Sequence, residues 1–355
     1  MYELDNRTVL TLDAGGTNFV FSAVRGCREI ARPVRMKAVT DDVDRCLGVL
    51  VEGFRAVASS LDTPPVAISF AFPGPADYAA GIIGDQPNFP CFRDGVAMGP
   101  YLSDVFGMPV FINNDGNLFA YGEALAGTLP RVNKALEESG STVRYRNLIG
   151  LTLGTGFGCG VVIDGKLLTG DNGCGGDVWL MRNVSHPDLI AEEGVSIRAV
   201  KRGYKERSGD SRPLSPKDVF DIAEGLLAGD RQAAVDTFAE MGRVAADALS
   251  HVLDIVDGLV VMGGGLSGAS KYIIPEMVRS MRPWVQMEVY DLTLPESMEG
   301  FLKDGSTLLK VPSSDREVRY LREKKTGIAV TTIGTEKAIS LGAYTFALAS
   351  LDRTY

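Results

Sequence analysis

A strand that runs into paired glycines, Thr8-Val9-Leu10-Thr11-Leu12-Asp13-Ala14-Gly15-Gly16-Thr17-Asn18, constrains this chain more than any other stretch. A second strand, Phe19-Val20-Phe21-Ser22-Ala23-Val24, follows at once. Glycines serve where a backbone must approach a ligand closely or take a positive φ. Read alone, the stretch is either an ordinary hairpin with a Gly-Gly turn or a phosphate cradle. In a cradle, Asp13 at the strand end could hold a hydrated Mg2+ against the same phosphate. The pattern then returns: a strand over 148–153, a turn Gly154-Thr155-Gly156-Phe157-Gly158, and a strand over 159–163. Two such units far apart in the chain predict two related halves, each offering a phosphate loop.

Composition narrows the function classes. The chain has 355 residues, enough for two domains. A net charge of −9 with no basic run argues against a nucleic-acid partner, because phosphate neutralisation needs clustered Lys and Arg. Met1-Tyr2-Glu3-Leu4-Asp5 has neither a basic nor an apolar signal region. The longest uncharged run, 147–163, is too short and too rich in Gly and Thr to span a membrane. Five scattered cysteines without a C-x-x-C pair read as reduced thiols of a cytoplasmic protein. With only His186 and His251 beside them, a closed zinc site is not expected. Glycine is over-used, 41 residues against roughly 25 for this length.

Hydrophobic periodicity predicts a helix over 41–60 and a buried strand over 66–72, ending at Pro73-Gly74-Pro75. Residues 77–92 read as loop; a strand over 109–112 stops at Asn113-Asn114-Asp115-Gly116, before a helix over 117–127. Further helices are expected over 187–207, 215–228, 231–254, 272–281 and 335–351, with strands over 258–262 and 326–331. Residues 286–325 read as a charged, irregular insertion. This order is α/β. Two motif matches fail. Gly160–Lys166 has P-loop spacing, but Leu167 stands where Ser or Thr must bind Mg2+. Gly263–Gly268 fits G-x-G-x-x-G but lies late, without the βαβ units that surround a dinucleotide site.

Six ordered motifs carry a resemblance: Leu12–Asn18, Phe72–Pro75, Asn113–Asp115, Leu153–Gly158, Gly170–Gly173 and Met262–Gly265. Together they resemble the ROK family of sugar kinases and sugar-responsive regulators, within the actin-like ATPase superfamily. The resemblance implies a two-lobed, ribonuclease H-like α/β fold with a central cleft, split as 1–113 plus 335–355 and 114–334. It implies ATP and Mg2+ as cofactors. Asp13, Gly15, Gly16, Thr17, Asn18, Thr155 and Gly156 would serve the ATP phosphates, and Gly264 and Gly265 would border the adenosine.

The resemblance assigns the catalytic base to Asp115, which would accept the proton of the sugar hydroxyl. From the local residues alone, Asn-Asp-Gly before a helix is equally a turn with an N-cap. Gly74, Asn88, Asn114, Asp177 and Glu192 fall at the family's sugar-binding positions. Asn88 between prolines is also plain turn chemistry, and Glu192 or Glu193 is also a first-turn helix residue. The chain departs from the family at Asp177-Val178-Trp179-Leu180, where a Glu-x-Gly-His signature is usual, so the Glu is shortened and the His replaced. No cysteine lies within 183–191, so the family's structural zinc is not expected. The expected function is ATP-dependent phosphorylation of a hexose or related sugar at a primary hydroxyl; the alternative is a catalytically weak sugar sensor without a DNA-binding domain. The partner is a small-molecule sugar, with no nucleic acid and no membrane, and a homodimer is the family's habit.

Overall fold

The computed structural model describes residues 2–14, 17–85 and 89–353. Gly15, Gly16 and Asn88 lie outside the described residues. The chain divides into two compact units: residues 1–127, 160–176 and 333–355 form the first, 128–159 and 177–332 the second. The backbone therefore passes between units four times, once inside the strand Phe157–Ile163. Among the described residues no helix is long and apolar enough to cross a membrane.

The first unit is built on a mixed sheet. Val9–Ala14 is antiparallel to Asn18–Arg25 and parallel to Ala67–Ala71, which is parallel to Val110–Asn113. The central strands are apolar along their length, as strands covered on both faces must be. On one face lies the helix Val43–Ala58, started by Asp42, whose side chain accepts from the Arg45 N–H. Its Phe54 meets Phe21 edge-on with centroids 5.0 Å apart. Phe19, Phe72, Phe89 and Phe92 continue this aromatic core, and Phe89 stacks on Phe92 at 5.5 Å.

On the other face the helices Asp115–Leu125 and Thr335–Asp352 cross. A Cβ on Gly122 would lie well inside contact distance of the Ala338 carbonyl, and one on Gly342 would collide with the Leu118 carbonyl. The two backbones touch, and neither position has room for a methyl group.

In the second unit Leu148–Leu153, Leu259–Gly263, Lys325–Val330 and Glu288–Asp291 are parallel neighbours in that order. The 26-residue helix Arg231–Val256, capped by Asp230, packs with the helix Ser270–Met281. Two expectations need correction here. Residues 286–325 are not irregular: they supply an edge strand, the helix Pro295–Leu302, and the hairpin Ser306–Lys310 with Glu317–Leu321. Nor does one helix span 187–207. A single turn at Ala191–Glu193 is followed by extended Ser196, and the helix runs Ile197–Ser208. The break lies in the backbone: the turn closes at Gly194, and Ser196 is extended before the helix begins. The helices Met98–Phe106 and Thr128–Glu138 add to the elements read from sequence.

Gly342→Ala should lower stability by about 2 kcal/mol or more, since the methyl must displace backbone and not a flexible side chain. Gly48→Ala is the control. It sits exposed in the first helix with open space around it, and should stabilise by about 0.5–1 kcal/mol. Urea midpoints read both, and the same sign for the two variants would contradict the crossing.

Candidate active site

Register places the first unit's candidate residues. Asp13 is opposite Ala71, and Ala71 opposite Asn113, so three parallel strands end side by side. At the usual strand spacing, Asp13 and Asn113 are about 10 Å apart. The carboxyl ends of parallel strands are where open α/β sheets bind ligands, and each strand here delivers a candidate: Asp13 with Thr17 and Asn18, then Gly74, then Asn114 and Asp115.

Asn114 is the N-cap of the helix Asp115–Leu125, its side chain accepting from the Gly116 N–H at 2.8 Å. Asp115 Oδ1 accepts from the same N–H at 2.8 Å. Both readings of Asn-Asp-Gly therefore coexist: Asn114 caps, and Asp115 stands at the first helical position. Buried Asn113 braces the junction, its Oδ1 accepting from the Asn114 N–H at 2.8 Å and from Asn117 Nδ2 at 3.0 Å. Asp115 is solvent-exposed, with protein atoms crowded about its carboxyl group. That desolvation raises its pKa above the usual carboxylate range, against the backbone N–H groups of Gly116 and Asp115, which lower it. Asp13 is raised as well, first by burial and then by the Glu336 charge, with Arg35 opposing.

The flanking candidates are held by backbone. The Thr17 carbonyl accepts from the Ala38 N–H at 3.0 Å, and Asn18 pairs with Lys37. Gly74 precedes a cis Pro75 in a loop folded back by Tyr78, whose hydroxyl donates to the Phe72 carbonyl at 2.9 Å.

The second unit gathers the others. Thr152 is opposite Gly263, so the turn after the first strand adjoins Gly264. Gly264 has φ +84°, and any Cβ there would strike the Leu153 backbone, while the position of a Cβ on Gly265 is open space. Beside them is a cavity of about 190 Å3 lined by Phe220, Phe238, Gly265 and Leu266, with Lys217 at its wall. Its aromatic, apolar surface suits a planar ring. Thr155 is exposed at the tip of the turn, which is closed by the Gly154 N–H donating to the Gly156 carbonyl at 3.1 Å. Glu192 Oε2 accepts from the Phe157 N–H at 3.0 Å, and Glu192 Oε1 pairs with Arg198 at 2.7 Å. Asp177 is exposed, and its segment is tied to that of Glu192 by the Ala191 N–H donating to the Met181 carbonyl at 2.6 Å.

Arg198 and the two phenylalanines are additions to the sequence reading. Arg198 had a signal, two glutamates one turn ahead of it; Phe220 and Phe238 look like any core aromatics until the fold places them beside Gly265.

A model of the ROK family matches residues 9–292. The chain belongs to the ROK family. Among solved structures, a glucokinase from Parabacteroides distasonis is 58% identical, covering 98% of this chain and 99% of that one, with a TM-score of 0.93. A glucokinase from Thermotoga maritima is 27% identical over 75% of this chain and 84% of its own. An N-acetyl-D-glucosamine kinase from Photobacterium profundum is 26% identical over 72% and 83%. The α/β architecture of this ROK protein is accordingly the actin-like ATPase fold.

For Asp115 the sign of the pH linkage follows from its raised pKa. The folded state disfavours the ionised form, so Asp115 costs stability above the ordinary carboxylate pKa and nothing well below it. Asp115→Asn should therefore melt higher than the wild type at pH 7, with the difference closing as pH falls through the carboxylate range. A lower melting temperature at pH 7 would contradict this.

Proposed function

We propose that this ROK-family chain transfers the γ-phosphoryl group of ATP to a primary hydroxyl of a hexose or related sugar. Its kinship makes it a sugar kinase; the acceptor, the position and the residue roles are the proposal. One observation carries it: a carboxylate of raised pKa, Asp115, stands at the first position of a helix, at the strand ends shared with Asp13. A base of raised pKa is better matched to a hydroxyl proton near neutral pH than an ordinary aspartate.

Asp115 would accept that proton as the hydroxyl oxygen bonds to the γ-phosphorus and the bond to the ADP oxygen breaks, giving sugar phosphate and ADP. Asn114 would orient the sugar, with Gly74, Asn88, Asp177 and Glu192. The turn at Thr155 and Gly156 would hold phosphates, with Gly15, Gly16, Thr17 and Asn18, and the cavity at Gly265 would take the adenine. Asp13 fits a cation site, since the Glu336 charge bears on its carboxylate and a positive charge would relieve that repulsion. Mg2+ held there through water would neutralise phosphate charge. The described cysteines are all free thiols, in keeping with a cytoplasmic setting, and we propose a homodimer.

A second reading, a sugar-binding sensor of low turnover, draws on the exposed Asp177 and on Glu192 being engaged by Arg198. ADP release over a panel of hexoses, amino sugars and ketoses, headed by glucose, separates the two. Release with none of them, alongside measurable sugar binding, would favour the sensor.

On the productive sugar, Asp115→Asn should lose about 10²–10⁴ in kcat while remaining folded; turnover near the wild type would refute the assignment. Because Asp115 must be ionised, kcat/KM should fall with decreasing pH at a pKa above the usual aspartate value. An acid limb at the ordinary value would remove Asp115 as its source. Phe220→Ala should raise the KM for ATP about tenfold and leave the sugar KM within a few-fold; an unchanged ATP KM would empty the cavity of its role.

A further inference from the structure

We infer that Glu192 is a positioning residue that sets the phosphate turn 154–158, so that one carboxylate serves both sugar and nucleotide. The inference rests on the reading above for what the turn binds. Two hydrogen bonds fasten the turn to the segment 192–197. At one foot the Phe157 N–H donates to Glu192 Oε2 at 3.0 Å; at the other the Ile197 N–H donates to the Gly154 carbonyl at 2.8 Å. The first residue of the turn's Gly-Phe step lies against the same carboxylate, for a Cβ on Gly156 would stand 2.5 Å from Glu192 Oε2. A methyl at Gly156 could be admitted only by moving that carboxylate aside.

The other oxygen of Glu192 is held by Arg198 at 2.7 Å, and Arg198 Nε also donates to Glu193 at 2.8 Å. The Glu192 side chain is 20% exposed, so one edge stays reachable. A sugar hydroxyl donating to that edge would share the charge now divided between Arg198 and the Phe157 N–H. Each carboxylate oxygen has two acceptor sites, so the hydroxyl adds to the network without breaking it. Affinity for sugar and for nucleotide are then linked through Glu192, and the linkage is reciprocal.

The test needs no sugar. ADP is titrated calorimetrically into wild type, Glu192→Ala, Glu192→Gln and Gly156→Ala. Losing a hydrogen bond to a charged group should weaken ADP about tenfold in Glu192→Ala. Glu192→Gln should fall between wild type and alanine, because the amide oxygen still accepts from Phe157 while its NH2 replaces the oxygen that Arg198 holds. The Gly156→Ala methyl would push the carboxylate off the turn, so its loss and that of Glu192→Ala should be markedly non-additive in the double variant. If Glu192→Ala fails to fold, the glutamine rescue and Gly156→Ala carry the comparison. ADP affinity in Glu192→Ala within twofold of wild type would overturn the inference, as would a glutamine variant as weak as alanine. Full turnover in Asp115→Asn would instead sink the catalytic reading and leave this linkage standing.

Discussion

The backbone contact between the helices Asp115–Leu125 and Thr335–Asp352 is what the first unit depends on. Helices that cross on side chains keep some freedom to slide as rotamers change, whereas helices that cross on bare glycines do not. Gly122 and Gly342 set the depth of the crossing, and with it the height of Asp115 above the sheet. Asn113 fixes the same helix from the strand side. The helix start itself welcomes the Asp115 carboxylate through the Gly116 N–H, and the two supports fix where that carboxylate stands.

The second unit solves a like problem with different parts. Its strands also end in register, and its turn after Leu153 also needs small residues. There the support is electrostatic: a carboxylate from a distant segment grips the turn, and an arginine grips the carboxylate. Packing holds one candidate group and charge holds the other. The first is insensitive to salt, while the second, with Arg198 about half exposed, is partly screened by it.

Much of this was legible in the chain. Apolar runs marked the central strands, and the recurrence of strand, glycine turn and strand at 8–24 and 148–163 announced two related sheets. Asp115 stood out only through the resemblance, since Asn-Asp-Gly at a strand-to-helix junction reads locally as a capped turn, and a capped turn is there as well. What escaped was set by contacts between segments remote in sequence. The helix expected over 187–207 is broken at extended Ser196, and the next N–H, that of Ile197, goes to the Gly154 carbonyl of a remote turn. The strand Glu288–Asp291 is short and half-exposed, and only its neighbour Lys325–Val330 shows that it belongs to a sheet. Gly122 and Gly342 read singly as weak points in helices; together they are a joint.

The four passages of the backbone between units bear on how the protein is made. The first unit lacks a face of its sheet until the helix Thr335–Asp352 has been synthesised, although its strands are among the earliest residues to emerge. The second unit has all its strands before that point. During translation the later unit can mature while the earlier one waits, inverting the usual N-to-C order of domain folding. Until then the face that Thr335–Asp352 will cover carries apolar residues such as Val9, Val24 and Ala67 with that cover missing.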